Sequence, residues 1–74
     1  MDVQIPQYLR DKKIAILGYN ANGETFARLL RDNDIEVVIG LRKVDEVWSR
    51  AEHDGFRVLT LWDAVQAADI IQVW

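Results

Sequence analysis

The chain has 74 residues, half of them hydrophobic and 28% charged, with a net charge of −3 and no cysteine. That length accommodates one small domain, whose core is marginal without a ligand, a staple or a partner. The absent cysteines exclude a disulfide or thiolate metal site, and the acidic balance argues against a nucleic-acid-binding face, which needs a basic excess.

Residues 1–12 read as a polar lead-in, with Pro6 at the first turn of a short helix through Tyr8 and Leu9. Met1-Asp2-Val3-Gln4-Ile5-Pro6 lacks a signal-peptide pattern and no apolar run approaches a membrane span, so a cytoplasmic chain without a membrane partner is expected. Lys13-Ile14-Ala15-Ile16-Leu17 is nearly continuously apolar, as a parallel strand buried on both faces must be. It ends at Gly18. Phe26, Leu29 and Leu30 then follow at helical spacing, predicting a helix from about Gly23 to about Asp32. Asn33-Asp34 is a turn, and Ile35-Glu36-Val37-Val38-Ile39 is a second buried strand closed by Gly40.

The loop Leu41-Arg42-Lys43-Val44-Asp45 leads into a helix carrying Val47, Trp48 and Ala51, with Gly55 as its left-handed stop. Phe56-Arg57-Val58-Leu59 is a third strand. Thr60 and Asp63 resemble a capping box opening a short helix through Ala67. Asp69-Ile70-Ile71-Gln72-Val73-Trp74 is a fourth strand. Strands alternating with helices imply a parallel sheet with right-handed crossovers. The expected fold is α/β, half of a Rossmann fold: one domain over residues 1–74, four parallel strands in the order 3-2-1-4, helices on both faces.

The chemistry concentrates in Gly18-Tyr19-Asn20-Ala21-Asn22-Gly23, which follows a strand and opens a helix. In a dinucleotide fingerprint the first glycine makes the tight turn, the second admits the pyrophosphate, and the third lets helix and strand pack closely. The first and third are present; the middle one is Asn20, a residue that tolerates left-handed backbone angles. Glu24 suits the helix dipole but would repel a phosphate. The turn therefore has two readings, a dinucleotide loop or simply a tight strand-to-helix connection.

The second segment is Gly40-Leu41-Arg42-Lys43-Val44-Asp45, where such folds meet the adenosine ribose. Arg42 and Lys43 could pair with a 2′-phosphate, or simply be solvated. Asp45 would repel that phosphate, and its favoured reading is a helix N-cap. His53, between Glu52 and Asp54, reads as a solvated imidazole. No nucleophile–base pair and no metal-ligand cluster is visible, so no catalytic or metal residue is assigned.

Lys13-Ile14-Ala15-Ile16-Leu17-Gly18-Tyr19, Gly40-Leu41-Arg42-Lys43, Trp48, Ala51-Glu52, Asp54-Gly55-Phe56 and Ala68-Asp69-Ile70-Ile71 resemble the N-terminal domain of ketol-acid reductoisomerase. The likeness runs from about Tyr8 onward. That family uses NADPH and magnesium to rearrange and reduce acetohydroxy acids in branched-chain amino acid biosynthesis. It usually reads Gly-Tyr-Gly-Ser-Gln-Gly at the glycine loop, and glycines or serines, the latter on the 2′-phosphate, follow its Arg-Lys pair. Here Val44, Asp45, Glu46 and Val47 stand instead. The resemblance carries over Gly18, Gly23 and Arg42 as cofactor-binding residues, with Tyr19, Asn20, Ala21, Asn22, Lys43 and Asp45 around them. It implies weak binding of NADP or NAD, with the acid favouring NAD. The family's magnesium ligands and catalytic groups lie beyond Trp74 in its pattern, so a truncated module without activity of its own is expected.

Two rival readings are an interaction module that kept the fold and lost the cofactor, and an enzyme assembled with a separate catalytic chain. The altered glycine loop, Glu24 and the early stop support the first rival, and self-association through the fourth strand is expected separately. Ile70, Ile71, Val73 and Trp74 form an uncharged edge with Trp62 nearby, a template for a two-fold homodimer unless the Trp residues fold back on the monomer. A proline at Gln72 is expected to remove a donor from that edge.

Overall fold

The computed structural model describes residues 11–74. The expected helix through Tyr8 and Leu9 lies outside them. The chain order is β1 (Ile14–Leu17), α1 (Ala21–Asp32), β2 (Val37–Leu41), α2 (Val47–His53), β3 (Arg57–Thr60), α3 (Leu61–Ala67) and β4 (Ile70–Val73). All strand pairs are parallel and the sheet order is β3-β2-β1-β4, as the sequence pattern predicts.

Alternation along the central strands sends side chains to two unlike faces. Ile14, Ile16, Ile39 and Leu41 pack with Ala27 and Leu30 of α1, Ala51 of α2 and Phe56. Ala15 and Val38 face the other way, onto Ala64 of α3. Helices thus cover both faces, but the first holds the larger core.

Boundaries move where backbone groups find other partners. Helix α1 starts earlier than expected, at Ala21, because Asn20 caps it. Ile35 is buried but spends its N–H on Leu30, so β2 begins only at Val37. Gly40 does not close β2. It pairs with Leu17 and Leu59, and the strand runs on to Leu41. A Cβ on Gly40 would lie 2.6 Å from Leu17 Cδ2 and 2.9 Å from Ala64 Cβ. The glycine is there to let α3 settle on the sheet, not to end a strand.

Phe56 serves the core from just outside β3, and its N–H bonds to Ala51. Gly55 ends α2 with a φ of +91°, as expected. The two expected side-chain caps do not form. Thr60 holds the N-cap position of α3 without a side-chain cap bond and is also the last residue of β3. Asp45 does not cap α2, whose N-cap is Glu46; its carboxylate turns back to Arg42 instead. At the start of β4, Asp69 accepts the Lys13 N–H through its side chain.

Ile70 and Trp74 both donate their N–H groups toward β1. By alternation the Gln72 N–H also faces β1, and the outward donors belong to Ile71 and Val73. A proline at Gln72 would therefore break the β1–β4 ladder rather than the outer edge. Among the described residues no helix is long and apolar enough to cross a membrane.

Candidate functional site

The two sequence-predicted segments come together at the C-terminal ends of adjacent strands. Gly18 to Gly23 form the turn from β1 into α1, and Arg42, Lys43 and Asp45 form the loop from β2 into α2. Leu17 and Gly40 are register partners, and the Gly18 N–H bonds to the Gly40 carbonyl at 3.1 Å. In parallel α/β sheets this is the edge where ligands sit.

Gly18 has a φ of +104°, and a Cβ there would lie 2.9 Å from the Trp74 carbonyl oxygen. A Cβ on Gly23 would meet the Gly18 oxygen and Trp74 Cβ, each at 3.3 Å. The first glycine thus makes the turn and the third permits close packing. Trp74 also lies against Phe26, with ring centroids 5.5 Å apart, so it folds back onto α1.

Asn20 departs from expectation. Its backbone is extended, φ −78° and ψ 179°, so left-handed tolerance plays no part. Its Oδ1 accepts the Gly23 N–H at 2.8 Å, and its carbonyl accepts the Glu24 N–H at 2.8 Å. Ala21 and Asn22, both exposed, hold the remaining first-turn positions. Their N–H groups have no hydrogen-bond partner among the described residues, which leaves them free to meet an anion.

Tyr19 turns its side chain inward. The ring is 2% exposed, packs edge-on to Phe56 with centroids 5.9 Å apart, and donates its hydroxyl to Asp54 Oδ2 at 2.6 Å. Burial first, then this bond, pushes the Tyr19 hydroxyl up to about 12. The same bond, together with the nearby Arg28, holds Asp54 below the usual carboxylate range. Only the backbone of Tyr19 belongs to the loop, and Arg50 Nη2 donates to its carbonyl at 3.1 Å.

Glu24 is not a bare negative charge. It pairs with Arg28 at 3.1 Å and Arg50 at 3.5 Å, so its expected repulsion of a phosphate is offset by two guanidinium groups. No local sequence pattern marks Arg28, Arg50 or Asp54 as neighbours of this loop. Asp54 lies 35 positions from Tyr19, and no spacing rule connects them. The one signal was that Gly18-Tyr19 and Asp54-Gly55-Phe56 both belong to the resemblance; the structure shows the two motifs to be one contact.

On the second loop, Asp45 accepts the Arg42 backbone N–H at 2.9 Å and one guanidinium nitrogen at 3.1 Å. Arg42 and Lys43 are exposed. Beside them is an open hollow of about 360 Å³ lined by Lys43, Asp45, Glu46, Trp48 and Ser49. A similar hollow at the opposite end of the sheet, between Lys13, Glu36 and Asp69, is remote from the glycine loop. His53 is exposed at the end of α2. Among the described residues no three His, Asp or Glu side chains converge as a metal site would require.

The family profile described as acetohydroxy acid isomeroreductase, NADPH-binding domain, matches residues 8–74. A ketol-acid reductoisomerase (NADP(+)) of Pyrococcus abyssi is 45% identical over 65 residues, which is 88% of this chain and 20% of that protein. The Methanopyrus kandleri protein of the same name is 43% identical over 65 residues, again 88% and 20%. A solved NADH-preferring ketol-acid reductoisomerase from an uncultured archean superposes with a TM-score of 0.86 at 38% identity, covering 90% of this chain and 22% of its own. The chain thus spans about a fifth of the length of the relatives it matches. With the profile covering nearly all of it, the chain belongs to the acetohydroxy acid isomeroreductase NADPH-binding domain family.

Proposed function

We propose that this domain binds the adenosine and pyrophosphate half of a nicotinamide dinucleotide, weakly, and gains nothing from a 2′-phosphate. The observation that carries the reading is the Arg42–Asp45 pair, set one strand away from the glycine loop. The guanidinium best placed to meet a 2′-phosphate is already paired with Asp45, which is held in place by also accepting the Arg42 backbone N–H. A 2′-phosphate would have to displace an internal carboxylate, whereas a 2′-hydroxyl could donate to Asp45 without disturbing the pair. The exposed first-turn amides of Ala21 and Asn22 remain for the pyrophosphate.

The bound cofactor would supply a hydride; this chain's own residues bind and orient it. The rearrangement and reduction carried out by the full-length relatives need groups beyond those described here. The purified 74-residue chain is therefore expected to be inactive alone, and acetolactate turnover above a no-protein control would refute that. A cytoplasmic setting is part of the same reading.

Calorimetric titration tests the cofactor preference. NADH is expected to bind at least as tightly as NADPH, and Asp45→Ser to shift the balance toward NADPH. A wild-type affinity for NADPH in the low micromolar range, about −8 kcal/mol, would overturn the reading.

A specific observation favours a second role, self-association. Of the six exposed large apolar side chains among the described residues, Leu61, Trp62, Ile71, Val73 and Trp74 lie on or beside α3 and β4. Trp62 is 69% and Val73 77% exposed. β4 carries no charge, and the Ile71 and Val73 N–H groups face its outer edge, where no partner stands among the described residues, so a second copy could pair antiparallel about a two-fold axis. Sedimentation across the micromolar range should show a dimer that Val73→Pro weakens. A strictly monomeric wild type would rule it out.

A further inference from the structure

We propose that Asn20 is a latch on the glycine loop, holding with its carboxamide the amide that a pyrophosphate oxygen would otherwise take. The inference rests on the dinucleotide reading above and concerns a residue that stands where the family usually has glycine.

The Gly23 N–H carries one hydrogen, and Asn20 Oδ1 accepts it at 2.8 Å. Gly23 is buried and lies within α1, so the helical backbone fixes the direction of its amide. A phosphate oxygen and the carboxamide therefore compete for the same proton. Asn20 itself is exposed, so its side chain can swing into solvent at the cost of the Gly23 bond. The backbone at Asn20 is extended, a conformation open to every residue, so glycine is not needed there for the path of the chain. What glycine would provide, besides room for the pyrophosphate, is an unclaimed Gly23 amide.

Asn20 thus acts on two quantities in opposite directions. It satisfies a first-turn donor and stabilises α1, as N-cap side chains do. It also lowers dinucleotide affinity by whatever that bond contributes. An N-cap side chain is worth about 1 kcal/mol, which converts to about fivefold in affinity. Asparagine is also a better latch than aspartate for a site meant to open, because a carboxylate on the same amide would repel the incoming phosphate as well as compete with it.

The test is calorimetric titration of the 74-residue chain with NADH, and with adenosine as a probe that lacks phosphate. Asn20→Gly should bind NADH about fivefold more tightly and adenosine unchanged. Asn20→Asp, which keeps the cap and hence the fold, should bind NADH more weakly than wild type. In amide-resolved NMR, the Gly23 resonance of the wild type should shift on NADH addition as it exchanges one acceptor for another. If wild type and Asn20→Gly bind NADH equally, Asn20 is a cap only and the latch is wrong while the dinucleotide reading stands. If neither binds, both are wrong.

Discussion

The two faces of the sheet are built by different rules. On the α1/α2 face, Ile14, Ile16, Ile39 and Leu30 are fully buried, and the rim is tied by Tyr19 to Asp54, Arg31 over Phe56 and Arg50 over Tyr19. On the α3 face the buried set is Ala15, Val38 and Ala64, beside exposed Leu61, Trp62, Ile71 and Val73. The first face has spent its apolar surface inside the molecule. The second keeps much of its own outside, where the proposed second copy would meet it. Stability and availability are separated by the thickness of one sheet.

Neighbouring residues on β2 break this comparison most directly. Ile39 and Val38 are both essentially inaccessible but point to opposite faces. Ile39→Ala should cost about 3–4 kcal/mol, transfer loss plus a cavity in the larger core. Val38→Ala should cost about 2 kcal/mol, since fewer atoms are lost on a face with less around them. Chemical denaturation measures both, and equal losses would erase the distinction. Gly40→Ala probes the α3 face from the other direction, by overfilling it. The added methyl meets Ala64 and Leu17 too closely, and a loss of about 1–3 kcal/mol is expected.

A smaller effect sharpens the picture of the rim. Tyr19→Phe should cost about 1 kcal/mol at neutral pH. Because the Tyr19 hydroxyl is raised to about 12 in the fold, its contribution is complete below the usual 10 and disappears as pH climbs through about 12. Asp54, held low, contributes above the ordinary carboxylate range and loses that share as pH falls through its lowered value. In Tyr19→Phe the alkaline loss should vanish and the acid loss shrink, which stability measured across pH will show. The smallest effect is expected for Trp62→Ser on the open face. Stability should change by less than about 0.5 kcal/mol while self-association weakens.

The strand order and the two-sided burial of β1 were legible because parallel strands leave a continuous apolar signature and glycines punctuate it. The same punctuation misled at Gly40. A glycine inside a strand looks, in one dimension, like a glycine after it, and only the arrival of Ala64 tells them apart. Gly18 and Gly23 were legible as a pair because local backbone geometry sets their spacing. Asn20 was legible as an intrusion but not as a cap, since the two outcomes differ only in which way a carboxamide turns. The partner of Asp45 is hidden for a related reason. A short acid at a loop end can reach forward to a helix or back to a turn, and the Arg42 guanidinium drew it back. The Tyr19–Asp54 bond joins residues far apart in the chain and had no local signature.

The contact of Trp74 with Gly18 and Gly23 has a consequence for assembly. The turn is encoded early, yet the carbonyl and side chain that wall it in come from the far end of the described chain. Local contacts form quickly, while pairings between distant segments wait on a slow loop closure. Helix α1 can therefore wind before its glycine turn is complete, and the turn reaches its final shape only when β4 docks beside β1. A loop that leaves the ribosome ahead of α1 is thus finished only after β4 has followed it.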